Sequence, residues 1–536
     1  MHKNTVSGDL FGGITAAAVA LPLALAFGVA SGLGALAGIY GAILLGFFAT
    51  VFGGTSVQIS GPTGPMTVVV ASIVALYSNN LALVFTIIML SGLIQLGFGL
   101  AGFGRYIKLV PQTVVSGFMT GIGLIVIILQ IGPLLGHATA EGSNLLKLVA
   151  IPEMLQTANW HALVLGAGSF ALVSFFPKSL SRYFPPTLLA LIAGTLAGVF
   201  FFRNAPTIGE IPTGLPTFYF PALDLQLLPD IIRYALILAF LGSIDSLLTS
   251  LAADSKTRTR HDSNQELIGQ GIGNLLAGCF GSTPGAGATM RTFVNIQAGG
   301  KTRLSGAVHA VVLLILALIF SVQVSYIPLA VLGGILLRVG LDIIDWRNLK
   351  RITRLPRPGV VVMLTTMLLT VFVDLLTAVA AGIVMTSVLF ISKTARAQME
   401  SIRFTFGDSG ELKLNHEEQR LLNELGEKVF LLQVEGPLSF ITARDITRMM
   451  QLSPENDVLI FDLSKVPFID SSAAASLEEA MEQLTENGDH IIIIGARPRV
   501  LETLKKTSVY EAIGEAKFVS QYQDALSLAG RLITRA

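Results

Sequence analysis

The sequence predicts a polytopic α-helical membrane protein that ends in a small α/β domain. The chain has 536 residues, of which 52% are hydrophobic and only 13% are charged, whereas soluble domains carry about 25% charged residues. Apolar runs follow one another up to about residue 395, and the sequence beyond residue 400 is mixed and charged. We therefore predict a membrane domain over 1–395, a linker over 396–425 and a soluble domain over 426–536.

Composition and termini exclude several classes of protein. A net charge of +1 gives no indication of a nucleic-acid partner. The single cysteine, Cys279, excludes an intramolecular disulfide and a cysteine-based metal cluster. The N-terminal stretch MHKNTVSGDLFGG leads into a long apolar segment without the pattern of a cleaved signal peptide.

We count fourteen apolar segments that could cross or enter a bilayer. They cover about residues 13–31, 36–53, 64–77, 81–101, 112–131, 160–176, 185–202, 231–252, 264–280, 286–297, 303–321, 327–341, 358–373 and 376–393. A complete crossing needs about 20 residues, so we expect the short segments to be buried inside the protein. An even number of spans places both termini on the same side of the membrane.

The distribution of basic residues predicts the orientation. If the N-terminus is cytoplasmic, the inner loops contain most of the loop Lys and Arg, including Arg258, Arg260 and Arg351. The outer loops then contain Lys147 and Arg203. This asymmetry follows the positive-inside rule and predicts cytoplasmic N- and C-termini.

An internal repeat links the two halves of the membrane domain. The stretch SGPTGPMT (60–67) corresponds to STPGAGATM (282–290), and LVPQTVVSGFMTGIG (109–123) corresponds to YIPLAVLGGILLRVG (326–340). The first pair of stretches lies in spans three and ten, and the second pair lies in spans five and twelve. The offset of seven spans is odd, so the two halves have opposite orientation. Broken helices at matching positions of inverted halves indicate the binding site of a transporter.

The chemistry of the breaks predicts an anion site. Proline ends a helix but fits the first turn of the next one, and glycine permits close backbone approach. Each break therefore begins a half-helix whose free N–H groups and positive dipole end point into the protein. Two such ends can hold an anion, although a kink that serves packing alone is the alternative. The predicted substrate-binding residues at these ends include Gly64, Thr67, Gly285, Ala286, Gly287, Ala288 and Arg291.

Asp245 and Arg291 are two charged residues inside predicted spans that we interpret as functional. Asp245 is thirteen residues into the stretch RYALILAFLGSIDSLLTSLAAD, and a carboxylate at that depth indicates function, here exchange of H⁺ or Na⁺. Thr249 follows at i+4 on the same face. We place Arg291 two turns into the half-helix of span ten, where it adds positive charge to the anion site or pairs with Asp245. The alternatives are a structural hydrogen bond for Asp245 and an Arg291 that reaches the membrane interface.

Other polar residues in or near the spans lack a surrounding motif, and we interpret them as polar groups at helix contacts. These are His161, His309, Gln95 and Gln130.

The soluble tail alternates strands with helices. The stretch DVLIFDLSKVPFIDSSAAASLEEAMEQL (457–484) predicts a buried strand, a loop and a helix, and 490–509 repeats strand then helix. Ser471 is predicted as a helix N-cap, with a regulatory role as a phosphorylation or docking point as the alternative. The tail has no Walker-type phosphate loop and no catalytic triad, so we do not expect an enzyme.

Together these residues resemble the SulP family of inorganic-anion transporters. The resemblance rests on DLFGGITAAAVALPLALAFGVASGLG (9–34), QISGPTGPMT, GSIDSLLTSLAAD and a tail similar to a STAS domain in its DLS…IDSS core. It implies two inverted seven-span repeats divided into core and gate domains, with substrate between spans three and ten. It also implies a homodimer whose cytoplasmic STAS domain serves assembly or regulation, including contact with a cytoplasmic protein partner.

Within the family the chain most resembles the bacterial branch with sodium-dependent bicarbonate transporters, in ALPLALAFGVASGLGA, IGQGIGN, GAGATM and LDIIDW. The resemblance implies that Thr63 contacts the anion and that Asp245 and Thr249 hold the coupling cation, Na⁺. Leu23 follows Pro22 where sulfate transporters have glutamine, which favours bicarbonate. Arg291 departs from that branch, which keeps a small residue there, and its charge would repel Na⁺ and favour proton coupling.

The sequence therefore predicts a secondary transporter of bicarbonate or sulfate, coupled to Na⁺ or H⁺, in the bacterial inner membrane. Alternating access is the expected mechanism. No cofactor is expected other than Na⁺ as a coupling ion. An uncoupled anion channel or exchanger and a nucleobase-type permease of the same fold are the alternatives.

Overall fold

The computed structural model describes residues 3–107, 111–137, 143–177, 180, 184–209, 216–222, 224–399, 403–406, 414–439, 446, 457–507 and 509–535. The chain divides into two compact units, Met1–Thr386 and Ser387–Ala536. The first unit is helical and the second combines strands with helices. The predicted boundaries at 395 and 425 stay predictions.

Each of the fourteen predicted apolar segments corresponds to a helix. The helices of this part of the chain are α1 Lys3–Ala30, α2 Ala35–Phe52, α3 Gly64–Leu76, α4 Leu81–Leu100, α5 Gly104–Ile107, α6 Gln112–Leu134, α7 Asn144–Val149, α8 Ile151–Gln156, α9 Trp160–Phe175, α10 Pro186–Phe200, α11 Leu228–Thr257, α12 Ser263–Cys279, α13 Thr289–Gln297, α14 Arg303–Val324, α15 Leu329–Ile343, α16 Trp346–Lys350, α17 Arg357–Phe372 and α18 Leu375–Met399. The short helices α5 and α16 connect longer helices, and α7 and α8 precede α9.

Helix length separates complete crossings from partial ones. Within the described residues, six helices are long and apolar enough to cross a membrane alone, and a bent pair, Asn144–Gln156 with Trp160–Phe175, makes up to seven. Gly64–Leu76 is one of the shorter apolar helices. Every residue of α3 from Gly64 to Val70 is buried, as the sequence predicts for a short segment that enters the membrane.

The helices of the membrane unit pack in two groups. In the core group, α12 packs against α2 and α4, α14 packs against α1 and α2, and α11 packs against α4. In the gate group, α6 packs against α15 and α17, and α9 packs against α10 and α15. Glycines bring α4 and α12 close, because a Cβ on Gly92 would lie 2.3 Å from the Leu275 nitrogen.

The two halves of the unit meet in a pair of two-residue strands. Strand β1, Ser60–Gly61, precedes α3, and strand β2, Ala286–Gly287, precedes α13. The strands are antiparallel, with Ser60 opposite Gly287 and Gly61 opposite Ala286. Equivalent segments of inverted repeats pair in this way, because the repeats run in opposite directions.

The C-terminal unit contains a five-stranded sheet in the order β3-β4-β5-β6-β7. Its strands are β3 Arg403–Phe406, β4 Val429–Glu435, β5 Val458–Lys465, β6 His490–Ile494 and β7 Phe518–Val519. The pair β3–β4 is antiparallel and the others are parallel. Both faces of the sheet are covered by apolar clusters, which explains the uninterrupted run HIIII in β6.

The helices of this unit are His416–Leu425, Ser471–Glu486, Pro498–Lys505, Val509–Ile513 and Tyr522–Arg535. The predicted α/β domain is therefore confirmed. The prediction that Ser471 is an N-cap is wrong. Asp470 is the N-cap of this helix, because its carboxylate accepts the Ala473 N–H at 2.7 Å. Ser471 is the first helical residue.

We expect Gly285→Ala to lower the thermal unfolding temperature of the purified protein by several degrees. A Cβ at this position would lie 2.1 Å from the Gly61 oxygen, and such overlap with backbone costs about 1–3 kcal/mol or more. Gly168→Ala on α9 is the matched control, because nothing lies within 4 Å of its Cβ position. Equal unfolding temperatures for the two variants in one detergent would show that the β1–β2 contact is not tight.

Candidate functional site

The first turns of α3 and α13 lie beside the β1–β2 contact. Thr63 is the N-cap of α3 and Ala288 is the N-cap of α13, and neither helix has a side-chain cap. The first N–H groups of a helix have no acceptor within that helix. The hydroxyls of Thr63 and Thr67 are buried. Thr67 lacks a hydrogen-bond partner among the described residues, and Thr63 has the Asp245 carboxylate as its neighbour. Two positive helix ends and two buried hydroxyls therefore meet in this region.

Arg291 connects the two breaks. Its guanidinium is buried, and Nη2 donates to the Pro62 carbonyl oxygen at 2.7 Å. Nη1 has no partner among the described residues and lies against Gly61, where a Cβ would be 2.6 Å away. A full positive charge is thus fixed between α13 and the segment that precedes α3.

The predicted position of Arg291 within its half-helix is wrong. Helix α13 begins at Thr289 rather than near residue 286, so Arg291 lies in the first turn and not two turns in. The reason is that Ala286 and Gly287 are extended as β2 and pair with β1. The charge of Arg291 is consequently added directly to the helix N-terminus.

Asp245 lies on α11 and faces the same region. Its carboxylate has the Thr63 hydroxyl as a hydrogen-bonding neighbour and lies within the electrostatic influence of Arg291. In the described part of the chain, Asp245 and Arg291 do not form an ion pair, because Arg291 donates to Pro62 and the Asp245 Oδ2 atom is buried without a partner. The structure therefore leaves one carboxylate oxygen available to a ligand.

Thr249 attaches α11 to the second break. Its hydroxyl donates to the Gly287 carbonyl oxygen at 3.0 Å and lies 2.7 Å from the Thr289 hydroxyl. A hydroxyl has one proton, so Thr289 donates to Thr249. One turn earlier, the Ser246 hydroxyl accepts the Gly287 N–H at 3.0 Å. Both hydrogen-bonding groups of Gly287 are thereby held by α11.

The oxygens on this side of the site suit a hard cation. Asp245, Thr249 and Thr289 offer carboxylate and hydroxyl oxygens, and Gly287 offers a carbonyl. Hard cations take oxygen ligands. The described residues contain no group of three or more His, Cys, Asp or Glu side chains that could hold a metal.

Asn274 holds the second break in place, a role that the sequence does not predict. Its amide accepts the Gly285 N–H at 2.9 Å and donates to the Gly285 carbonyl at 3.0 Å. It also donates to Gln95 at 2.9 Å, which confirms Gln95 as a polar group at a helix contact. The only signal for Asn274 in the sequence is its place in IGQGIGN, which carries no partner information.

A buried carboxylate supports β1 from the other side. Glu266 accepts the N–H groups of Gly54 and Thr55 at 3.0 and 2.9 Å. It also accepts hydrogen bonds from the side-chain amides of Gln58 at 2.7 Å and Gln270 at 2.9 Å. Because its oxygens are all engaged, Glu266 is a structural group and not a candidate for ion exchange.

His309 is fully buried on α14, and neither ring nitrogen has a partner among the described residues. The prediction of a polar group at a helix contact is confirmed, although the ring makes no hydrogen bond among these residues. Its ring lies against Gly46, where a Cβ would be 3.3 Å from Nδ1, and it is within the electrostatic influence of Arg291.

The site lies where the core group meets the gate group. A Cβ on Gly64 would lie 2.7 Å from Ile343 at the end of α15 and 3.7 Å from Val126 on α6. Side chains of the gate helices therefore approach the first residue of α3.

Ser471 belongs to the C-terminal unit and is exposed. A separate buried cluster in that unit joins Asp462, Gln433 and Tyr522. Burial, followed by the hydrogen bond to Asp462, raises the pKa of the Tyr522 phenol above its ordinary value. The neutral phenol donates to Asp462 and fastens the last helix to the sheet.

Comparisons with known proteins agree with this architecture. The sulfate permease family matches residues 6–366, and the STAS domain matches residues 423–525. The bicarbonate transporter BicA of Picosynechococcus sp. is 42% identical over 99% of this chain and 95% of its own length. BicA of Synechocystis sp. is 43% identical over 98% and 94%. The putative sulfate transporter YvdB of Bacillus subtilis is 31% identical over 96% of both chains.

Solved structures show the same fold. The transmembrane domain of a cyanobacterial bicarbonate transporter BicA is 46% identical, with a TM-score of 0.67 over 72% of this chain and 98% of that chain. Murine Solute Carrier 26 family member A9, an anion transporter in the inward-facing state, has a TM-score of 0.85 over 99% and 92% of the two chains. At 21% identity the latter likeness shows the fold alone.

We expect Asp245→Asn and Arg291→Gln each to lower the thermal unfolding temperature, because each leaves the other charge buried without compensation. The double variant should recover part of the loss. Residues that interact in this way show coupling of about 0.5–3 kcal/mol in a double-mutant cycle. Strictly additive effects in the same detergent would show that the two charges do not share an environment.

Proposed function

This chain belongs to the sulfate permease family, and we propose that it is a secondary transporter of bicarbonate that is coupled to Na⁺ and works by alternating access. Its relatives are anion transporters and not enzymes. One observation carries the proposal. The β1–β2 contact sets two helix N-termini beside a buried arginine and the Asp245 carboxylate, whose Oδ2 atom is buried without a partner among the described residues.

The names of the relatives favour bicarbonate. Arg291 and the helix ends attract an anion, and Asp245 repels it. Both the attraction and the repulsion are about twice as large for a dianion such as sulfate as for bicarbonate at the same distance, so these charges do not choose between the two anions. The relatives at 42% and 43% identity are named bicarbonate transporters, whereas the relative at 31% is named a putative sulfate transporter. These relatives support bicarbonate.

The proposed anion contacts come from both breaks. The hydroxyls of Thr63 and Thr67 are buried at this helix end, and the backbone at Gly64 begins α3. From the other half, Arg291 supplies the charge and the N-cap Ala288 leads into α13. The preceding glycines, Gly285 and Gly287, and Ala286 between them are strand and loop residues whose small size allows the two halves to touch.

The proposed coupling site is Asp245 with Thr249. Arg291 would repel Na⁺, but its hydrogen bond to Pro62 and the lack of an ion pair leave the Asp245 charge available to the cation. Entry of Na⁺ together with bicarbonate adds no net charge to the site, because the two ions offset each other. Protonation of Asp245 is the rival form of coupling.

Movement of the core group against the gate group would carry the site between the two sides. Helices α3, α11 and α13 carry the residues that we propose bind the ions, and side chains of α6 and α15 approach Gly64. We propose a homodimer in the bacterial inner membrane, with both termini in the cytoplasm. The STAS domain, with Ser471 exposed at a helix start, would serve assembly or regulation through a cytoplasmic protein partner.

An uncoupled anion exchanger is a second candidate. The observation that favours it is Arg291, because its charge balances that of Asp245 when no cation is bound. Such a protein would move anions down their own gradient without responding to Na⁺.

In proteoliposomes, we expect an inward Na⁺ gradient to drive accumulation of labelled bicarbonate, and a pH gradient alone to drive little. Asp245→Asn should abolish accumulation, because the amide cannot carry the charge that attracts Na⁺. Labelled sulfate should compete weakly. Accumulation driven by the pH gradient alone would establish proton coupling instead, and equal uptake under every gradient would support the uncoupled exchanger.

We expect Thr63→Val to raise the KM for bicarbonate about fivefold with little change in maximal rate, because it removes one hydrogen bond with a net value of about 1 kcal/mol. Thr195→Val on α10 is the matched control, because that hydroxyl donates within its own helix to Leu191 at 2.6 Å. If the KM is the same for both variants, Thr63 does not contact the anion.

A further inference from the structure

An apolar groove lies between the two helix groups of the membrane unit, apart from the anion site. It has a volume of about 270 Å³ and is lined by side chains from α5, α6, α11 and α18. All of its lining residues are aliphatic or aromatic, and Tyr106 has the one hydroxyl among them. The groove therefore offers no polar partner to water or to a polar solute along most of its length.

The groove is open at the outer surface of the helices. Phe103 and Tyr106 of this lining are about half exposed, at 49% and 50%, and Phe240 is 44% exposed. The chain spans a membrane, so the medium around these side chains is hydrocarbon. An acyl chain fills such a groove without loss of hydrogen bonds, whereas water does not.

A positive charge is held beside the groove. The Arg105 guanidinium carbon lies 4.9 Å from the centroid of the Tyr106 ring, which itself lines the groove. Arg105 is exposed, and α5 is anchored because the Gly104 N–H donates to Asn264 at 3.0 Å. The guanidinium is therefore positioned and still has donors for a phosphate, which arginine binds through paired hydrogen bonds.

We propose that this groove is a binding site for one anionic phospholipid, with an acyl chain between α11 and α18 and the phosphate on Arg105. The net negative charge of the headgroup complements the single guanidinium, which favours an anionic over a zwitterionic lipid. The groove is lined by Ile244, the neighbour of Asp245 in the chain. A lipid bound there lies between elements that the transport movement separates.

Fluorescence quenching tests the site without depending on transport. The chain has two tryptophans, and Trp160→Phe with Trp346→Phe gives a background without them. Phe240→Trp then places a reporter in the groove, and Phe320→Trp, at a 46% exposed position on α14, gives the matched control. The full-length variants are reconstituted in vesicles of brominated phosphatidylglycerol or brominated phosphatidylcholine mixed with unlabelled lipid.

We expect the reporter at position 240 to prefer phosphatidylglycerol by about fivefold, since one basic residue near the membrane contributes about 1 kcal/mol of attraction for anionic lipid. The control reporter should show a ratio near one. Arg105→Gln should remove the preference at position 240, and Arg105→Lys should retain part of it.

Three results would overturn the proposal. Equal ratios at positions 240 and 320 would mean that ordinary bilayer lipid fills the groove. A preference that survives Arg105→Gln would exclude Arg105 as the phosphate partner. Absence of quenching by either lipid at position 240 would mean that protein closes the groove. None of these results bears on bicarbonate or Na⁺, so the proposed transport function is tested separately.

Discussion

The antiparallel contact between β1 and β2 is the constraint on which the rest of the membrane unit depends. It joins Ser60 to Gly287 and Gly61 to Ala286, residues more than 200 positions apart. Helices α3 and α13 start within three residues of this contact, so it fixes where their positive ends lie. Asn274 and Ser246 hold the second strand in place through hydrogen bonds to Gly285 and Gly287. The anion site that we propose in the middle of an apolar unit would follow from this backbone arrangement more than from charged side chains.

Burial makes the few charges in this region effective. Arg291 is 1% exposed and bonds one backbone carbonyl, at Pro62. An unpaired charge in a dry interior is costly, so Arg291 and Asp245 stabilise one another even without an ion pair. Glu266 differs because backbone and amide donors satisfy it fully. Two carboxylates in neighbouring helices thus have different tasks, one available to ligands and one structural.

The sequence alone predicts much of this architecture. Helix existence follows from apolar length, the two breaks follow from Pro and Gly, and the roles suggested for Asp245 and Arg291 rest on their charge at depth. The predicted position of Arg291 within its helix is wrong, because pairing of β2 with a distant strand delays the start of α13. The prediction of Ser471 as an N-cap is wrong, because the carboxylate of the preceding Asp470 caps the helix. The partners of Asn274 and Thr289 could not be predicted, since such contacts depend on tertiary packing.

A cryo-EM structure of the full-length protein in nanodiscs, with and without saturating bicarbonate, tests the central claim most directly. If these helix ends bind the anion, we expect a ligand-dependent density between the first turns of α3 and α13, within hydrogen-bond distance of the Thr63 hydroxyl. We also expect that the β1–β2 pairing and the Arg291–Pro62 hydrogen bond are present in both maps. Density only among gate helices, or a separation of β1 from β2 when bicarbonate binds, would contradict this claim.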